Sequence, residues 1–233
     1  MKTTILVILA IAMLIVNSAC EKQNSEVAHI DLRIKATGNS ELTTQKSGMI
    51  STKSFEIESA LIYLERMELK FQTVPIEDEY ENEEIEEGEH LFDGPFKVDL
   101  LNVSSDPEMP LVEAQPGIYT KFEAELYVPE NLGHSVYISG TFSVNEAKSQ
   151  KFIYTYSQTE DFKVENPYGI KITGDMVNYI VVKVNLNSLF EGVDFSLAKI
   201  DDDNIIRINK NSNNDLADII ENNLETASQM EIE

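Results

Sequence analysis

From Ile118 to Val128 the chain alternates strictly. Ile118, Thr120, Phe122, Ala124, Leu126 and Val128 fall on one parity, and Tyr119, Lys121, Glu123, Glu125 and Tyr127 on the other. Successive side chains of an extended strand point to opposite faces, so this pattern predicts a strand with one mostly apolar and one mostly charged side. Gln115-Pro116-Gly117 just before it carries a proline that presets a bend and a glycine free to take positive φ, the signature of a turn. Phe96 to Leu101 reads as a shorter partner strand leaving a second turn at Asp93-Gly94-Pro95.

The same period of two recurs along the chain. It sets Ile30, Leu32, Ile34 and Ala36 on one face within Val27 to Thr37, and Val136, Ile138, Gly140, Phe142 and Val144 on one face of the next unit. Phe152, Tyr154 and Tyr156 form an aromatic row, and Ile180, Val182, Val184 and Leu186 a buried face within Val177 to Leu186. Cross-strand packing is the ordinary reason for such a row, and a ligand platform is the rarer one. In Ala60 to Phe71, Ile62 and Leu64 share a face while Met67, Leu69 and Phe71 continue with shifted parity. A strand with a β-bulge near Glu65-Arg66 reconciles the two halves; a helix with Glu65, Arg66 and Glu68 on its polar side is the other reading. Gly38 to Gly48 reads as a loop, Asn187 to Asp194 as a short helical or turn connection, and Asn204 to Asn209 as a last strand with Ile206 and Ile208 inward. Near the end, Leu216, Ile219, Ile220 and Leu224 recur at helical spacing behind Asn213 or Asn214 as cap.

These elements predict an all-β fold: a single antiparallel β-sandwich of immunoglobulin or transthyretin type over 27–227, with a C-terminal amphipathic helix over about 214–227 and a polar tail at 228–233. Glu77 to His90 holds nine acids, which bury too little apolar surface to offset ordering and therefore read as a solvated acidic loop, with a Ca²⁺ or basic-partner site as the other reading.

Residues 1–20 stand apart. Lys2 is followed by twelve unbroken apolar residues, Ile5 to Val16, a length that suits an export signal and is too short to span a bilayer. Asn17-Ser18-Ala19-Cys20 then places small residues before the chain's one cysteine. This stretch resembles the lipobox of bacterial lipoproteins, with Asn17 where that pattern has an aliphatic residue. The resemblance implies cleavage before Cys20, acylation of Cys20 on sulfur and nitrogen, and a polar tether over 21–26. Several acyl chains, at about 0.8 kcal/mol per buried CH₂, anchor a protein without any spanning helix. The expected location is the cell outer membrane, lipid-anchored, with the membrane as one partner through acylated Cys20.

Charge excludes one class of partner. Against 41 Asp and Glu stand 18 Lys and Arg, a net charge of −23, and a surface this acidic repels phosphate backbones, so no nucleic-acid partner is expected. Asp201, Asp202 and Asp203 invite a calcium reading, as hard cations favour clustered carboxylates. They fail the EF-hand template: a register starting at Asn209 puts Asn214 where glycine is needed and Ile220 where the bidentate glutamate belongs. An irregular Ca²⁺ site on these aspartates stays open beside a solvated turn. His29, His90 and His134 are not spaced as a zinc set. The chain contains no nucleophile elbow, phosphate loop or dinucleotide fingerprint, so no catalytic residues and no cofactor are assigned.

The segments ALIYLERMELKF, FDGPFKVDLLN, QPGIYTKFEAELYV and IIRINKNSNNDLADIIENNL resemble an uncharacterised domain family of Gram-negative bacterial lipoproteins, with Gly117-Ile118-Tyr119 matching its turn-and-strand signature. That resemblance implies a lipid-anchored β-sandwich and carries no catalytic residue. The sequence-based expectation is therefore a non-enzymatic binding or structural module meeting a protein or glycan partner in the envelope. A calcium-binding or adhesive surface domain, and an envelope hydrolase, are the alternatives.

Overall fold

The computed structural model describes residues 27–38, 42–46, 49–73, 87–145, 148–174 and 176–233. The leader, Cys20, the tether and residues 77–86 of the acidic stretch lie outside them.

Among the described residues, thirteen strands and two α-helices follow one another: β1 (Ala28–Thr37), β2 (Leu42–Lys46), β3 (Met49–Gln72), β4 (Glu87–Asp99), β5 (Ser104–Asp106), β6 (Val112–Ala114), β7 (Gly117–Leu126), β8 (Val136–Asn145), β9 (Lys148–Tyr156), β10 (Asp161–Ile172), β11 (Val177–Asn185), α1 (Leu186–Leu189), β12 (Ile205–Ile208), α2 (Asn214–Asn223) and β13 (Ser228–Ile232), with a single 3₁₀ turn at Phe195–Leu197. They form two sheets. One has the order β13-β11-β1-β6; the other runs β10-β7-β3-β8-β9-β12, with β4 and β2 also on β3 and β5 on β4. The alternating apolar faces of both sheets meet in one continuous core, so the fold is the all-β, sandwich-like one expected.

The 24-residue β3 organises the larger sheet. Its first half pairs with β8 and its second with β7 along the same edge, while β4 lies along the opposite edge. Both the β4 and β7 ladders shift register between Leu64 and Arg66, where the broken parity of the sequence called for a bulge. The extra residue returns Met67, Leu69 and Phe71 to the side of Ile62 and Leu64, and all five are buried.

A second shift, between Lys70 and Phe71 opposite β7, corrects the expected face of that strand. Phe122, Ala124 and Leu126 point inward as expected, but beyond the shift the parity reverses. Tyr119, assigned to the charged side, is fully buried, and Ile118 and Thr120 are only half-buried.

Other expectations are corrected as well. Leu42 to Lys46, inside the expected loop, is strand β2 paired with β3. Asp93-Gly94-Pro95 is no turn: it lies within β4, at the bulge opposite Leu64 and Arg66. Glu87 to His90, assigned to the acidic loop, form the start of β4 and pair with Gln72 to Leu69. The C-terminal helix ends at Asn223, and the expected polar tail is strand β13, antiparallel to β11, with Met230 in the core. Two pairings, β1 with β11 and β12 with β9, are parallel.

The solvent face of the larger sheet is a charge ladder. Glu123, on β7, accepts from Lys121 at 2.6 Å and from Lys70, with Lys163 at 3.7 Å. Hydrogen bonds from Lys121 and then Lys70 pull its carboxyl down to about 2, from an ordinary 4.5. A depressed folded value stabilises above the unfolded one, so this contribution is present above about pH 4.5 and is lost as pH falls towards 2. Screened by solvent, it is on the order of 1–2 kcal/mol. Urea unfolding at pH 5 and at pH 2.5 should show wild type losing that much more stability than Glu123→Gln; parallel losses would contradict it.

Candidate binding site

Sheet edges are where a sandwich leaves backbone groups unmatched. In β1 the odd-numbered residues direct their N–H and C=O groups at β11, as the bond from the His29 N–H to the Met176 carbonyl shows. The even-numbered residues therefore face the other edge. Ala28 and Ile30 pair there with Ala114 and Val112 of β6, and the Ala36 N–H donates to the Leu100 carbonyl at 2.7 Å. Between these contacts, Leu32 and Ile34 have no strand opposite them among the described residues.

The sequence explains the gap. Continuing the β1–β6 register would set Leu32 opposite Pro110, which has no N–H to donate. The chain from Val103 to Leu111 instead bows away as the short strand β5 and an irregular segment, held where the Met109 N–H donates to Ser105 Oγ at 2.9 Å. A groove of about 670 Å³ is left between this bow and the free edge of β1.

Its walls are apolar and charged in turn. Val103, Leu111 and Val177 are each more than two-fifths exposed beside it. Val103 also has φ 52°, a left-handed conformation that a β-branched residue adopts only under strain of order 1–3 kcal/mol. The Arg33 guanidinium is fixed in advance: it donates to both oxygens of Asp31, at 3.1 and 2.9 Å, and lies 4.4 Å over the Tyr179 ring. Leu32 and Ile34 are almost completely buried, so their edge groups meet only the narrow floor of the groove. A buried N–H or C=O without a partner is costly, and an extended backbone laid alongside is the group that satisfies a row of them.

The residues singled out for chemistry sit elsewhere. Asp201 and Asp203 both bind the Arg207 guanidinium, Asp201 at 2.6 Å and Asp203 through two bonds of 2.9 and 2.6 Å, so an internal cation already occupies the place between them and offsets one of their two charges; Asp202 is an exposed turn residue. Asn213 does occupy the N-cap position of α2, but its side chain caps nothing. It bonds the Lys199 N–H and the Lys199 and Arg207 carbonyls, tying the helix start to the neighbouring segments.

His90 stacks with Phe71 at 4.9 Å and with Tyr119 at 5.8 Å. The Gln115 carbonyl can only accept, so the Tyr119 phenol donates to it at 3.0 Å and takes the His90 Nε2–H at 2.9 Å. Burial pushes the imidazole's pKa down and favours the neutral ring. His90 thus locks β4 onto β3 and β7.

The groove's key residues, Leu32 and Ile34, were legible only as core positions. The signal that marks them is Pro107 and Pro110, which break any continuous ladder in the partner stretch. No protein-family model, curated protein or solved structure matches this chain.

Proposed function

We propose that the protein is a lipid-anchored module of the bacterial outer membrane that holds an envelope partner by taking an extended segment of it along the free edge of β1. The observation that carries this reading is the pair of unmatched residues Leu32 and Ile34 on the floor of a groove between two sheets. Strand addition draws affinity from main-chain hydrogen bonds and selectivity from side chains that enter flanking pockets. Here Val103 and Leu111 receive apolar side chains, and the Arg33–Asp31 pair sets polarity at the floor. Nothing in this mode requires turnover. Acylation at Cys20, after the small residues that precede it, supplies the anchor.

Two experiments test the two halves. Cys20→Ala is expected to move the protein from the membrane fraction to the soluble fraction of an expressing cell; unchanged membrane association would contradict the anchor. For the groove, peptides selected from a displayed heptamer library should lose binding to Leu111→Arg. Methylating alternate backbone nitrogens in a selected peptide should weaken it by about tenfold or more, as main-chain bonds are removed. Peptides that bind Leu111→Arg and wild type equally would overturn the assignment.

A further inference from the structure

Far from that groove, where the end of α2 meets β7, β9 and β10, the surface closes into a pocket of about 290 Å³. Four carboxylates border it: Glu160 and Asp161 where β9 passes to β10, and Glu221 and Glu225 at and just beyond the last turn of α2. The negative end of the helix dipole adds to them, and no basic residue occupies that last turn. Charge of one sign gathered on one opening favours a cation there. Lys210 meets part of the demand, donating to Glu221 at 2.6 Å and to Asp218 at 2.9 Å.

Acids at a helix end are often no more than a solvated surface, and the deciding observation is Tyr154. It borders the pocket, is 3% exposed, and its hydroxyl makes no hydrogen bond among the described residues. Its neighbour Tyr156, by contrast, donates to Glu160 at 2.8 Å. The ring is buried, but the hydroxyl is not among the enclosed polar atoms left without a partner; it opens onto the pocket, where a ligand atom can reach it. Burial, helped by the Glu221 charge, pushes the Tyr154 phenol's pKa up and keeps it neutral, with its oxygen free to accept.

An organic cation suits this opening better than a metal ion. A metal ion draws its oxygen ligands to about 2.0–2.6 Å, and among the described residues no three acids or histidines are grouped to do so. An ammonium has three N–H donors reaching acceptors at roughly 2.7–3.2 Å, which suits a wider ring of oxygens. We propose that this pocket binds a primary alkylammonium group, with Glu160 and Glu221 supplying charge and the Tyr154 oxygen the third acceptor.

Calorimetric titration of the full chain with 1,5-diaminopentane and with Nα-acetyl-lysine methylamide tests this. Saturable binding is expected for at least one of them: the diamine alone assigns a free amine, the lysine derivative alone a protein side chain, and both the shared group. Glu160→Gln with Glu221→Gln should weaken it at least about tenfold, and Tyr154→Phe, which removes one oxygen and little else, about fivefold. 1-Pentanol and the Nε-acetylated derivative should not bind. Absence of saturable binding with both ammonium probes, equal affinity in Tyr154→Phe, equal binding of the neutral controls, or displacement by equimolar Ca²⁺ would overturn the proposal.

Discussion

Phe190→Ala is expected to lower the folding stability by about 3–5 kcal/mol, the range for truncating a fully buried phenylalanine. Phe190 follows α1 in the connection between the sheets, and none of it is exposed. Its ring lies 5.4 Å from Phe55 of β3, 5.6 Å from Phe152 of β9 and 6.1 Å from Phe195, which itself stacks on Phe142 at 4.7 Å. One side chain thus touches rings carried by two strands and a connector, and its removal leaves a cavity they cannot all close around. For a domain of this size the melting temperature should fall by roughly 6–20 °C. A calorimetric scan showing a fall of only a degree or two would mean that the aromatic cluster is not the packing centre inferred.

The second large effect turns on sign. Gly140 lies in β8 opposite Ile57, beside a register shift between Ile57 and Ser59. Replacing a strand glycine with alanine ordinarily gains roughly 0.5–1 kcal/mol through reduced chain entropy. Here a Cβ would stand 2.1 Å from the Glu56 carbonyl oxygen and 3.1 Å from the Ile57 Cα, both backbone atoms that cannot turn aside. Gly140→Ala is therefore expected to destabilise by about 1–3 kcal/mol, the usual cost of overpacking, and Gly140→Val by more. Urea midpoints measure it, and an alanine variant as stable as wild type would show that the two strands have room to separate.

Gly140 also marks the boundary of what alternation reveals. The inward parity of Ile180, Val182, Val184 and Leu186, and the bulge at Glu65-Arg66, were readable because a period of two encodes faces and reports its own interruptions. The shift that buries Tyr119 was not, because the extra residue, Thr120, lies within β7 and leaves the alternation of residue types from Ile118 to Val128 unbroken. Phe190 and Phe195 sit in connectors, where no period exists to show them as core. Strand β13 was missed because only Met230 of its five residues is apolar and buried. Partners are harder still: β1 pairs in parallel with β11 from a distant part of the chain, and period says nothing of neighbours. The groove shares that difficulty, since Leu32 and Ile34 look like any buried strand residues until Pro110 is seen opposite.

Amide hydrogen exchange at β1, followed with and without a selected peptide, tests the open edge most directly. In the free protein the Leu32 and Ile34 amides should exchange faster than those of Ile30 and Ala36, which are bonded across the same edge, and the peptide should slow both. Leu32 and Ile34 amides already as protected as their neighbours, or unchanged by a bound peptide, would contradict the reading of this edge as the binding site.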